Sequence, residues 1–331
     1  MTDFRALPKV ELHLHLEGAA PPSFIRGLAA EKSMDLSAIF AEDGGYAYRD
    51  FEHFLSVYEA ACTVLTGPDD FGRLVTAVCE ELAAHNVVYA ETFVSPDFCG
   101  GGDLAAWRDY LAAMEEAADG AERTLGVTFK GIVTCIRHFG PEKARAPAIC
   151  AAETKGNFVR GFGMAGAELM GRPGDYSWAF DCAREAGLPL TCHAGEWGGP
   201  DMVADTLDAL GVSRIGHGIN AIHDPALVER LAEAGTVLEV CPGSNVWLKA
   251  VPSWEAHPIA RLREAGVKVT VSTDDPPFFR TTMTDEYANL ARTFGWGEAE
   301  FRELAETALA AAFCDEETRA AVAKRLGPAA E

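Results

Sequence analysis

Apolar and polar residues alternate along Val10-Glu11-Leu12-His13-Leu14-His15-Leu16-Glu17-Gly18, the two-residue period of a β-strand with different chemistry on its two faces. Leu12, Leu14 and Leu16 take one face, and His13 and His15 share the other. Between residues 20 and 86 the period becomes helical. Pro21-Pro22 opens a helix carrying Phe24, Ile25 and Leu28, a second pattern runs from Phe51 to Leu65, and a third follows Asp69-Asp70, read as its caps. Short β-rich runs then recur at 87–94, 128–136, 159–164, 188–194, 214–219, 236–241 and 268–274, with amphipathic helices between them. Asp224-Pro225 reads as an N-cap with proline at the first helical position, and Gly235 ends that helix ahead of the next strand. Counting the first, there are eight β-runs, each followed by helix. Continuous apolar strands alternating with helices predict an α/β fold, a (β/α)8 barrel of the TIM type. Extra helices follow strand one and close the chain at 297–313 and 315–326. No linker, repeat or low-complexity tract divides residues 1–331, so one domain is expected.

Barrels place functional side chains at the C-terminal ends of their strands. Here strand one ends in His13 and His15, strand five in Cys192-His193-Ala194-Gly195-Glu196, strand six in Gly216-His217-Gly218 and strand eight in Asp274-Asp275. Four histidines and three carboxylates therefore converge on one mouth. The other histidines, His53, His85, His138, His223 and His257, match no ligand spacing and are read as structural or surface residues. Trp197 either walls the pocket or covers the rim.

Composition narrows the setting. Fifty acidic against 28 basic residues give a net charge of −22, which repels phosphate backbones and anionic lipid; neither nucleic acid nor membrane is an expected partner. Nine cysteines without a C-x-x-C pair, several inside apolar runs, indicate free thiols in a reducing compartment. The start Met1-Thr2-Asp3-Phe4-Arg5 lacks a signal-peptide pattern, and a cytoplasmic enzyme is expected. The composition leaves a homo-oligomer open.

Three imidazoles and a carboxylate, His13, His15, His193 and Asp274, make a site for one divalent ion per chain, Zn2+ first and Fe2+, Mn2+ or Co2+ next. Such an ion with an open position acidifies a water. Asp274 and Asp275, as strand neighbours, should point apart and differ in role. His217 could orient or deprotonate the water, and Glu196 could donate a proton if burial raised its pKa. Strand four carries no Lys, Asp or Glu before Gly166, which favours one metal over two. Gly161-Phe162-Gly163-Met164-Ala165-Gly166 matches G-x-G-x-x-G, but poor helix sequence follows it, so its glycines are read as letting backbone approach a ligand rather than as a dinucleotide fingerprint.

In their order, HLHLEG, CHAGE, RIGHG, VCPGSN and STDDP resemble the adenosine deaminase family and its adenine deaminase relatives, from Leu7 to about Phe313. The resemblance implies a zinc barrel that hydrolyses the 6-amino group of a purine to the 6-oxo product and ammonia. It assigns the metal to His13, His15, His193 and Asp274, ring-nitrogen protonation to Glu196 and retention of the attacking oxygen to His217. It assigns substrate contacts to Asp275, on the imidazole side of the purine, and to the Gly166 N–H. At Glu17, adenosine-specific members usually carry Asp, which contacts the ribose hydroxyl, whereas Glu is common in members acting on adenine. RIGHG and TDDP look more like the nucleoside enzymes, so the expectation leans to adenosine, with adenine or a modified 6-aminopurine as the alternative. A barrel that only binds nucleosides would have no need of an open metal site.

Overall fold

The computed structural model describes residues 2–327; Met1 and residues 328–331, the ends of the expected domain, lie outside the described residues. β1 (Lys9–His15) is followed by α1 (Pro22–Glu31), α2 (Phe51–Cys62) and α3 (Pro68–Ala84), then β2 (Val87–Val94). The chain continues through α4 (Leu104–Leu125), β3 (Thr128–Ile136), α5 (Arg145–Thr154), β4 (Val159–Ala165), α6 (Ser177–Glu185), β5 (Thr191–Ala194), α7 (Pro200–Leu210) and β6 (Arg214–His217). After α8 (Pro225–Ala234) and β7 (Val237–Val240) come α9 (Pro242–Trp247), α10 (Ile259–Glu264), β8 (Lys268–Val271) and α11 (Pro276–Phe279). α12 (Met283–Phe294), α13 (Glu298–Ala311) and α14 (Glu316–Leu326) complete it.

The strands pair in parallel as two four-stranded sheets, β1 to β4 and β5 to β8. Two bridges close them into a barrel: Phe162 with Leu190 between β4 and β5, and Leu14 with Asp274 between β1 and the end of β8. The second closure is doubled, with His15 N–H donating to the Asp274 carbonyl at 3.0 Å and Asp274 N–H to the His13 carbonyl at 3.1 Å. The strands are buried nearly end to end, as strands covered on both faces must be.

Several strands are shorter than the sequence suggests, three of them for a plain local reason. Strand five begins at Thr191 because Pro189 has no N–H to give to a ladder. β6 stops at His217, since both His217 and Gly218 have positive φ. β8 stops at Val271, and Asp274 has φ of 68°, so Asp274 and Asp275 are not strand neighbours pointing apart. After β4 no helix opens at Gly166; a short 3-10 turn at Pro173–Tyr176 leads into α6, so the G-x-G-x-x-G glycines do not cap a helix.

The region 20–86 forms three helices with a turn and a Phe40–Tyr46 bridge between the first two. Asp69 and Asp70 lie inside the first turn of α3 and Gly67 takes the N-cap. Asp70 Oδ2 reaches back to accept from Thr66 N at 2.9 Å and Gly67 N at 3.2 Å, and also from Lys32 Nζ. This one carboxylate ties α3 to the chain after α2 and to the end of α1. Asp70→Ala is expected to lower the unfolding free energy by about 2 kcal/mol, read as a lower urea midpoint at constant m-value.

Candidate active site

The inward face of β1 carries Lys9, Glu11, His13 and His15, all buried except the partly exposed His15. His13 Nδ1 lies 2.9 Å from Glu239 Oε2, and His193 Nδ1 lies 2.9 Å from the Met164 carbonyl. Each Nδ1 facing an acceptor carries the proton, which leaves each Nε2 as a bare lone pair. These lone pairs face one another. His15 Nε2 is 3.2 Å from His193 Nε2 and 3.2 Å from Asp274 Oδ1, and His13 Nε2 is 3.5 Å from the same oxygen. His13 Nε2 is buried without a hydrogen-bond partner. The four donor atoms lie within 4.8 Å of one another. Ser244 Oγ donates to Asp274 Oδ2 at 2.7 Å, turning the other oxygen to the imidazoles. Burial opposes ionisation of Asp274, but the imidazoles of His13, His15 and His217 around it outweigh that and hold it well below the ordinary carboxylate range. Burial, and then the neighbouring imidazoles, drive His193 down and keep it neutral. Electron-rich atoms brought this close in a desolvated site are the donor set of a divalent cation, and these residues fit one.

The site is held from the barrel floor. Arg214 Nε meets Glu239 Oε1 at 2.6 Å and Nη2 meets Glu91 Oε2 at 2.7 Å; β2 and β6 are not sheet neighbours, so this pair spans the interior. Burial would raise Glu239, but Arg214 and the His13 bond outweigh it and keep the carboxylate that orients His13 ionised.

Glu196 stands in the loop after β5. Its carboxyl is pushed well above the ordinary range, first by burial and then by the charges of Asp274 and Glu168. Asn245 Nδ2 lies 3.4 Å from Glu196 Oε1 and 3.1 Å from His217 Nδ1, bridging the two. His217 Nε2 is 3.8 Å from Glu196 Oε2, and burial brings that ring down to about 3.

Above this group lies a cavity of about 90 Å³. Seven of the nine singled-out residues line it: His15, His193, His217, Glu196, Asp274, Asp275 and Gly166. His13 and Glu17 do not line it. Glu17 lies behind Tyr58, whose hydroxyl donates to Glu17 Oε2 at 3.3 Å, and burial pushes the Glu17 carboxyl up to about 7. Asp275 faces the cavity with Oδ1 buried and unpartnered, and Gly18 packs so close that any Cβ there would strike that carboxylate. Phe51, Phe54, Leu55 and Tyr58 of α2, with Phe279, wall the cavity, and Trp197 packs on Phe51 at 5.2 Å between ring centroids. The region after strand one thus forms part of the pocket wall.

Sequence reading missed four contributors. Glu168 accepts from the Gly195, Glu196 (3.0 Å) and Trp197 (2.7 Å) N–H groups, so one buried carboxylate holds the whole turn that carries Glu196. Asn245 and Ser244 lie in the CPGSN stretch, which is part of the family resemblance but gives neither residue a role until the fold brings them to Glu196 and Asp274. His138, assigned to structure or surface, lines the cavity and accepts from Ala167 N at 3.2 Å. Glu168→Ala leaves three buried N–H groups without an acceptor; a loss of about 2–4 kcal/mol in urea unfolding is expected, with a smaller loss for Glu168→Gln.

An adenosine deaminase family profile matches residues 8–328. Adenine deaminase of Agrobacterium fabrum is 47% identical over 98% of this chain and 99% of its own length. Adenine deaminase of Rhizobium leguminosarum bv. trifolii is 47% identical over 97% of this chain and 99% of its own. Among solved structures, the adenine deaminase of Arthrobacter aurescens superposes with a TM-score of 0.89 at 29% identity, covering 97% of this chain and 98% of that one. A zinc-bound amidohydrolase from Burkhoderia ambifaria gives 0.87 at 30% identity, covering 98% and 91%.

Proposed function

The chain belongs to the adenosine deaminase family, hydrolases of C–N bonds, and from that premise we propose that it deaminates free adenine to hypoxanthine and ammonia. Adenosine, the expectation from the sequence, is set aside for the base. Full-length relatives at 47% identity are named adenine deaminases. The observation that carries the choice is Glu17: the carboxyl where the family's nucleoside enzymes bind ribose is here bonded to Tyr58, behind the cavity wall rather than open to a sugar.

His13, His15 and His193 through Nε2, with Asp274 through Oδ1, would hold one divalent ion, and zinc is the ion of the Burkhoderia relative. Bound there, the ion would supply the Lewis acidity that makes water nucleophilic at neutral pH. Glu196, kept protonated by burial, gives its proton to the ring nitrogen beside the reacting carbon, which makes that carbon electrophilic. His217 holds the attacking oxygen. The Asp275 carboxyl meets the imidazole edge of the base, satisfying its unpartnered Oδ1, and the Gly166 N–H meets a further ring nitrogen. The aromatic wall from α2 excludes water from these steps. A site built around a small base, with its buried groups paired, discriminates strongly against a substrate that leaves them unpaired.

On zinc-loaded protein, kcat/KM for adenine is expected to exceed that for adenosine by at least about 100-fold. A preference for adenosine contradicts the assignment of Glu17. Glu196→Gln is expected to keep the metal and lose about 10²–10⁴-fold in kcat, and near-full activity would remove Glu196 from the acid role.

A further inference from the structure

His257 precedes α10, is 2% exposed, and stands outside the cavity lining. Its hydrogen bonds admit one assignment of protons. A backbone N–H can only donate, so the Ile259 N–H at 3.2 Å makes His257 Nδ1 an acceptor. A ring accepting at Nδ1 carries its proton on Nε2, and that nitrogen lies 3.3 Å from Asn245 Oδ1, which therefore accepts. This settles the orientation of the Asn245 amide: its Nδ2 donates, and the receiving atom 3.1 Å away is His217 Nδ1. His217, accepting at Nδ1, carries its proton on Nε2, the nitrogen turned toward Glu196 Oε2 at 3.8 Å and Asp274 Oδ2 at 4.0 Å. The direction of every bond follows from one peptide N–H.

We propose that His257 is a positioning residue that, through Asn245, fixes His217 as the Nε2–H tautomer, so that His217 offers the site a hydrogen-bond donor and not a base. The proposal rests on the reading that His217 meets the attacking oxygen. As a donor it holds and orients that oxygen and leaves it the lone pair with which it attacks. A His217 protonated at Nδ1 would instead present a lone pair and compete for the water's proton. The same amide reaches Glu196 Oε1 at 3.4 Å, so the acid and the donor are registered by one side chain.

The test is proton–nitrogen correlation spectroscopy of the zinc-loaded full chain with isotope-labelled histidine, His217 being identified by the signals lost in His217→Gln. Wild type is expected to show His217 protonated at Nε2 and bare at Nδ1. His257→Gln, whose amide still donates to Asn245 Oδ1, should keep that pattern and near-normal turnover. Asn245→Asp should reverse it, because a carboxylate only accepts and draws the ring proton to Nδ1. Asn245→Asp and His257→Phe should then lose about 10–100-fold in kcat, with KM within about twofold and metal content unchanged. A wild-type His217 protonated at Nδ1, or a tautomer unmoved by Asn245→Asp, overturns the proposal. If the tautomers behave as expected but wild type turns over neither adenine nor adenosine, the relay stands and the deaminase reading falls.

Discussion

Four electron-rich atoms, the Nε2 atoms of His13, His15 and His193 and one oxygen of Asp274, are held within 4.8 Å of one another in a desolvated barrel mouth. Lone pairs at that separation repel unless a cation lies among them, so the arrangement persists only because the surrounding structure imposes it. His13 is fixed by Glu239, Glu239 by Arg214, and Arg214 by Glu91 across the interior and by the Ala311 carbonyl at 3.0 Å. His193 is fixed by the Met164 carbonyl and Asp274 by Ser244. Asp274 also closes the barrel through its backbone, so the residue that seals the fold also completes the site.

Around that centre, burial assigns different protonation states to groups that start alike. Asp274 is ionised by its imidazole neighbours, whereas Asp275 and Glu196, equally buried, are pushed toward the neutral acid. A protonated Glu196 beside a neutral His217 gives the site two hydrogen-bond donors of different strength. In the proposed reaction, their separation into acid and holder would rest on Asn245, which lies between them. The turn carrying Glu196 has little regular structure of its own and takes its shape from Glu168 below and from Asn220, which donates to the Glu196 and Gly198 carbonyls at 3.0 and 2.9 Å.

The barrel was legible in the sequence because strands covered on both faces read as continuous apolar runs, and the β/α beat repeats eight times. The residues that converge on the mouth were legible because strand ends are local features: His13, His15 and His193 needed only a period and an end. Glu168, Asn245 and His257 were not, since each acts across 12 to 49 residues through a hydrogen bond whose partner no local pattern indicates. Strand alternation does not separate Asp274 from Asp275, because left-handed backbone at Asp274 replaces it. Glu17 showed the limit most clearly. Its identity raised the question of base or nucleoside, but its bond to Tyr58, 41 residues away, is a tertiary fact.

The most direct measurement is metal stoichiometry on the purified chain, by elemental analysis before and after chelation, together with thermal unfolding of both forms. One divalent ion per chain is expected, lost in His15→Ala. With the ion present at 100 times its dissociation constant, stability should rise by about 2.7 kcal/mol. A chain that binds no ion at this site, and unfolds at the same temperature with and without zinc, would contradict the claim that these four residues form a metal centre.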